Sequence, residues 1–195
     1  MRLGSGSGES VRYDRQVLGY HGCTEVAAQQ IHEGGRFKPS ANDFDWLGKG
    51  TYFWEFGPDR ALRFIEEKLA RQGSAERPAV VGAIIQLGTC FDLLDTENTS
   101  SLSDVFPLFE KAMAEAGQPL PVNAGASTER KLRRLDCAVL NWYLDLAGGY
   151  QTVRGCFLEG PPVFPGAALL AEAHIQLAVR DLACIIGTFR PTLRS

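Results

Sequence analysis

An α+β domain, with short strands and helices between them, is the fold class this sequence predicts, on three observations. Ala79-Val80-Val81-Gly82-Ala83-Ile84-Ile85-Gln86-Leu87 is an apolar, β-branched run of the kind that fills a central strand. His174 to Val179 alternates as a half-buried strand does. Ala61, Leu62, Phe64, Ile65 and Leu69 recur at i, i+3 and i+4, which draws one apolar face on a helix. With 195 residues, 45% of them hydrophobic and 22% charged, the chain is long enough for one domain with its own core.

The elements follow in order. Residues 1–12 are rich in Gly and Ser and read as a flexible tail or a cloning remnant, which leaves 13–195 as a single domain. Val17 to His21 is a short strand, and Thr24 is an N-cap for a helix from Glu25 to Glu33 that Gly34-Gly35 stops. A polar linker from Arg36 to Asp45 leads to the strand Gly50 to Trp54. Pro58 suits a first helical turn, so the amphipathic helix runs from Pro58 to Arg71. After the central strand the pattern turns helical near Asp104 to Ala116 and again near Glu129 to Leu146, with Pro119, Pro121 and Gly125 in the connector. Gly160 to Gly166 carries three prolines and is a stiff exposed loop. The strand His174 to Val179 then turns at Arg180-Asp181-Leu182 into Ala183 to Gly187, which reads as a closing hairpin.

Charge and cysteine usage exclude several classes. Twenty Lys and Arg against 23 Asp and Glu leave a net charge of −3, so no global basic field drives nucleic-acid binding. Arg130, Lys131, Arg133 and Arg134 cluster locally and read as a solvated helix face. The five cysteines are scattered without a Cys-x-x-Cys pair, and with three histidines a closed zinc site is not expected. Most read as small buried hydrophobes in a reducing compartment; Cys23 alone neighbours a candidate site residue. No secretory signal and no run of about 18 apolar residues is present, so the expected location is the cytoplasm, without membrane contact, or outside the cell by a signal-free export route.

Two segments carry chemistry: Gly19-Tyr20-His21-Gly22-Cys23-Thr24 and, about thirty residues later, Gly48-Lys49-Gly50-Thr51-Tyr52-Phe53-Trp54. A phosphate loop is not what Gly48-Lys49-Gly50 spells, because Gly-x-x-x-x-Gly-Lys-Ser/Thr is absent. A histidine beside a glycine can reach a ribose hydroxyl while the bare glycine backbone hydrogen-bonds a flat carboxamide, and an aromatic on a neighbouring strand can stack on the nicotinamide ring. The two segments resemble the His-Gly-Thr and Gly-x-Gly-x-Tyr-Phe motifs of the ADP-ribosyltransferase superfamily, on its diphtheria-toxin and poly(ADP-ribose) polymerase side. That resemblance implies a split two-sheet β core with flanking helices and a reaction that transfers ADP-ribose from NAD and releases nicotinamide, with NAD as substrate and no metal.

By the same resemblance His21 holds the adenosine-side ribose, the Gly22 backbone holds the carboxamide and Tyr52 stacks on nicotinamide. A second stacking aromatic falls near position 63, where Arg63 stands beside Phe64; Phe64 is a ring partner or a core residue. The family's late-strand glutamate aligns with Gln176, whose amide can accept a hydroxyl proton but carries no charge, and a charged acceptor bonds about twice as strongly. Glu172, His174 and Gln176 share one strand face, where His174 is a base toward the acceptor or an ordinary strand histidine. Glu159 is the other candidate carboxylate. Arg154 and Arg180 are diphosphate partners or, on the plainer reading, surface salt bridges. The loop with Phe164 would meet the acceptor. The resulting expectation is a mono-ADP-ribosyltransferase of bacterial toxin, effector or defence type, acting on a protein or nucleic acid, with an antitoxin or immunity protein as a candidate partner. Its alternatives are an NAD or ADP-ribose sensing module with impaired catalysis, or an NAD glycohydrolase. The stretch Thr89 to Thr152 corresponds to no motif of the family.

Overall fold

A computed structural model describes residues 12–125 and 131–193. The domain is α+β, a six-stranded mixed sheet with four helices. In chain order these are β1 (Arg12–Thr24), α1 (Glu25–His32), β2 (Thr51–Glu55), α2 (Pro58–Arg71), β3 (Pro78–Asp92), α3 (Thr96–Glu115), α4 (Arg134–Ala147), β4 (Thr152–Phe157), β5 (His174–Val179) and β6 (Ile185–Phe189). Among the described residues no helix is long and apolar enough to cross a membrane. The tail assigned to residues 1–12 and Arg130 of the basic cluster fall, save for Arg12, outside the described residues.

The strands close on themselves. β1 pairs with β2, β2 with β5, β5 with β4, β4 with β3, and β3 returns to β1, while β6 adds to the remaining edge of β3. The parallel β3–β4 step is the one crossover, and α3 and α4 make it. Closure is uneven. β1 holds a long ladder with β3 but only two pairs with β2, Gly19 with Glu55 and Tyr20 with Trp54. Beyond Tyr20 the two strands part.

Each face of the ring is buried. Val17, Phe53, Val81, Ala83, Ile85, Leu177 and Val179 fill the inner face, and Ala28, Ile31 and Phe37 close one end of it. On the outer face α4 packs Leu140 and Leu144 against Phe91, Val153, Phe157 and Ala178. Fully burying such a side chain contributes about 1.5–3 kcal/mol. Farther along the outer face α2 lies on Trp54 and Val80 through Ala61. It sits so close to β1 that a Cβ at Gly22 would collide with the Ala61 carbonyl oxygen.

Thr24 caps α1 as its residue type predicts, its hydroxyl accepting from the Ala27 amide at 3.3 Å. Other expectations are corrected. The last two strands form no hairpin, because β5 lies between β2 and β4 while a 3₁₀ turn at Leu182–Cys184 carries β6 to β3. β4 was not expected at all. α3 begins at Thr96, eight residues earlier than the apolar pattern suggests, because the Asp95 side chain caps it by accepting from the Glu97 amide. The described part of the basic cluster is solvated but lies mostly ahead of α4 rather than on it, and it is paired: Lys131 with Glu159, Arg134 with Asp43, and Arg133 over Trp46.

Candidate functional site

The gap between β1 and β2 is where the two motif segments meet. His21 stands on β1 just past the last β1–β2 pair, and its Nδ1 lies 2.8 Å from the Tyr52 carbonyl. A carbonyl only accepts, so Nδ1 carries the hydrogen, and in the neutral ring Nε2 keeps a lone pair. The ring is pinned edge-on by Phe37 at 5.4 Å and tilted against Phe53 at 5.6 Å. Burial is the main reason its pKa lies below the ordinary 6.5; the bond to Tyr52 opposes this and the charge of Lys68 adds to it. His21 is therefore neutral at physiological pH.

Tyr52 is adjacent in the fold but faces the other way. Tyr20 pairs with Trp54, so strand alternation sends His21 to the inner face and Tyr52 to the outer one. The contacts agree, since Tyr52 packs against the cluster built on α4. Its hydroxyl donates to the Gly48 carbonyl and accepts from the Leu47 amide, each at 2.8 Å. Burial above all raises its pKa well beyond the usual 10. The Gly48–Gly50 turn is thus tied to this ring on one side. On the other it is tied to α4, where Asn141 Oδ1 accepts from the Lys49 amide at 2.9 Å. Gly48 has φ +70°, and a Cβ there would press on Asn141.

Gln176 is on β5, the next strand over, paired with Trp54 on one side and Gly155 on the other. Strands β1, β2 and β5 so bring the three motif positions onto neighbouring strands, with Tyr52 and Gln176 on the outer face and His21 on the inner. Phe64 packs on Trp54, ring centroids 4.8 Å apart, within the cluster under α2. Its observed partner is thus a core tryptophan.

His174 belongs to an ionic cluster at the far end of that outer face. Its Nδ1 donates to the Glu172 carbonyl at 2.7 Å, and its buried Nε2 has no hydrogen-bond partner and lies 3.8 Å from Glu159 Oε2. Burial chiefly lowers its pKa; the Arg60 charge adds to this, against Glu172 and Glu159. Glu159 is itself buried. It accepts from Arg60 at 3.0 Å and pairs with Lys131 at 3.1 Å. Burial works against its charge, but Lys131, Arg60 and His174 outweigh that and hold its pKa below the ordinary value. Arg63 closes the cluster on Glu172 at 3.1 Å.

A second ionic cluster sits in the inner face. Arg154 is buried and uses all three of its nitrogens: Nε and Nη2 on Glu55 at 2.7 and 3.2 Å, and Nη1 on Asp92 at 3.0 Å. This corrects the surface reading of Arg154, whose charge is committed to β2 and β3. Arg180 does form the expected salt bridge, to Asp145 at 2.6 Å. Cys23 is buried, and burial raises its thiol to about 11, which disfavours the thiolate. Cys90, Cys137 and Cys184 are also buried, and Cys156 is exposed. Among the described residues no group of three or more His, Cys, Asp or Glu is arranged to hold a metal ion.

The sequence reading missed Phe37, Arg60 and Glu55. Only Arg60 left a trace there, as a basic residue in the first turn of a helix, where a charge of that sign opposes the helix dipole. The partner that holds it, Glu159, is 99 residues away. In comparison with known proteins, the chain matches no family model, no curated protein and no solved structure.

Proposed function

We propose that this chain binds NAD at the parting of β1 and β2 and moves ADP-ribose to a macromolecular acceptor, releasing nicotinamide. It is a mono-ADP-ribosyltransferase of bacterial toxin, effector or defence type. The observation that carries the reading is the two-pair β1–β2 ladder with the His21 bond to the Tyr52 carbonyl just beyond it. Segments 31 residues apart in sequence meet there, and Gln176 is on β5, the strand next to β2, on the outer face.

In this mechanism neutral His21 accepts a ribose hydroxyl at Nε2 while its Nδ1–H stays on Tyr52, which fixes the ring's orientation. The Gly22 backbone meets the carboxamide on the stretch of β1 that has no ladder to β2. Breaking the bond between ribose and nicotinamide builds positive charge on the sugar, so the groups that matter are those better matched to the cation than to NAD itself. Gln176 offers an uncharged acceptor to the ribose 2-hydroxyl, which sets a slow rate and argues for single transfer over polymer formation. The acceptor lies on the side of the Gly160–Gly166 loop, where Phe164 is 59% exposed.

A second reading, an NAD or ADP-ribose sensing module, is favoured by two observations: the third position carries no charge, and the Tyr52 ring is packed against α4 on the face opposite His21. Nicotinamide release from NAD by the purified protein, with and without cell lysate, separates the two. Transfer predicts release that falls with His21→Ala and with Tyr52→Ala, together with a mass-shifted acceptor. NAD binding without release decides for the sensor, and neither binding nor release removes both readings.

A further inference from the structure

From Gly160 to Ala171, between β4 and β5, the chain carries no polar side chain, only those of Gly, Pro, Val, Phe, Ala and Leu. Most of this stretch is exposed: Val163 by 49%, Phe164 by 59% and Leu169 by 69%, with Leu158 at 64% just before it. It is not slack. Its two limbs bond each other, the Ala171 amide to the Pro161 carbonyl at 2.9 Å and the Val163 amide to the Leu169 carbonyl at 3.0 Å, and Gly166 turns the tip at φ +83°. Ion pairs clamp the root, Glu159 to Arg60 and Lys131, Glu172 to Arg63. A stiff arm thus holds apolar side chains out in water, and contiguous apolar surface beyond a few hundred Å² marks an interaction site.

An apolar receiving surface is on the same chain. The helices α3 and α4, which no motif of the sequence explains, enclose a cavity of about 520 Å³, open to solvent. Its walls are mostly large and apolar, with Trp46, Leu93, Leu102, Phe106, Leu140 and Phe157 among them. No residue of the arm lines it. The two are neighbours all the same: Phe157 of the wall is followed at once by Leu158 and the arm, and Lys131, which holds the arm's root, stands two residues before Arg133 of the wall.

We infer that arm and cavity are the two halves of an interface between copies of this chain, each copy seating Phe164 and its apolar neighbours in the cavity of the other. The volume suits the task, since cavities of roughly 300–1,000 Å³ take drug-sized groups, larger than one aromatic ring. The arm bears no charge between Gly160 and Ala171, so seating it strips no arm charge of water. Because arm and cavity lie side by side, one two-fold axis serves both contacts and closes the assembly at two. A stable pair needs roughly 1,200–2,000 Å² in all, or about 300–500 Å² from each of two arms and two cavities. Phe164, at 59% exposure, brings about 90–150 Å² of its arm's share. The inference does not rest on the NAD reading; where both hold, second copy and acceptor compete for the same loop.

The test is analytical sedimentation of the purified chain, without NAD, from about 1 to 500 µM, beside Phe164→Asp and Ser103→Trp. The parent should pass from monomer to dimer with a midpoint of about 1–100 µM. Phe164→Asp puts a charge on the arm, and Ser103→Trp fills the cavity from its exposed rim. Each should weaken pairing by about thirtyfold, the loss of a central aromatic anchor, with circular dichroism unchanged. Mixed together, the two variants should associate again, more weakly than the parent, because one keeps its arm and the other its cavity. A parent that stays monomeric at about 500 µM overturns the inference. If that monomer instead co-sediments with phosphatidylcholine vesicles through Phe164, the arm belongs to a lipid surface. Pairing of Phe164→Asp at the parent's strength also overturns the inference. Ser103→Trp pairing like the parent removes the cavity from the interface, and species that grow past the dimer overturn the two-fold closure.

Discussion

Two ionic clusters, one on each face of the same small sheet, are built to opposite standards. On the inner face Arg154 satisfies every nitrogen, with Glu55 and Asp92 as partners and Arg15 adding a bond to Glu55. On the outer face Glu159 is well paired, yet Arg60 Nε and His174 Nε2 are buried without partners. A saturated buried cluster is a fixed part of the frame, and removing one member leaves an uncompensated charge. An unsaturated one keeps capacity for another proton or hydrogen bond, at a cost in stability. The difference teaches that burial alone does not tell a completed frame from a cluster with bonding capacity left over.

The largest test of that contrast is to remove one arginine from each side. Arg154→Met should lose about 3–5 kcal/mol in urea unfolding, because two carboxylates stay buried without their cation. Arg60→Met should lose roughly 1.5 kcal/mol, since Lys131 still holds Glu159. Equal losses would break the comparison.

Acid should weaken the outer cluster. His174 and His21 both have folded pKa values below the ordinary 6.5, so the unfolded chain takes up protons that the folded one resists as pH drops beneath that value. Stability is full above about 6.5 and declines below it, with His32 adding in the same direction. Glu159, depressed below its ordinary 4.5, adds a further loss as pH falls through its folded value. Arg154, raised by Glu55 and Asp92 against its burial, stays charged throughout. In urea midpoints taken from pH 7.5 to 5, His174→Gln should flatten the slope by up to about 1.4 kcal/mol per pH unit. An unchanged slope would mean that His174 Nε2 is not short of a partner in solution.

Adding charge sharpens the contrast from the other direction. Gln176→Glu puts a carboxylate on the strand face that His174 shares, where the resemblance asks for one. It should keep or raise nicotinamide release from NAD, up to about tenfold for one stronger hydrogen bond to the ribose. Loss of release in a folded variant would show that position 176 is the wrong register. The smallest effect is expected for Thr24→Ala, which touches neither cluster and should cost only about 1 kcal/mol as a lost helix cap. A loss as large as that of Arg154→Met would mean that the mouth of the gap, not the ionic frame, governs stability.

Where elements were legible in the sequence, their causes were local. α2 runs from Pro58 to Arg71 as the proline and the apolar spacing require, and α1 starts at its Thr24 cap. β4 was illegible because Arg154 and Gly155 interrupt any apolar pattern, and the groups that make a buried arginine tolerable lie 99 and 62 residues away in sequence. The last hairpin misled for a related reason: alternation and a turn are visible locally, but the choice of strand partner is not. Of the candidate site, the residue types of His21, Gly22 and Tyr52 were legible, as was the change to Gln176. That His21 and Tyr52 sit on opposite faces, joined through a backbone carbonyl, was not.

By itself, then, the sequence determined an α+β domain, its best-capped helices, its central strand and the chemical vocabulary of two glycine-flanked segments, because each depends on neighbours within a few turns of chain. The tertiary structure decided which strands close the ring, where β1 and β2 part, and which charges are spent and which are held in reserve. Those outcomes follow from burial and from partners far apart in the chain, and local patterns carry no record of them.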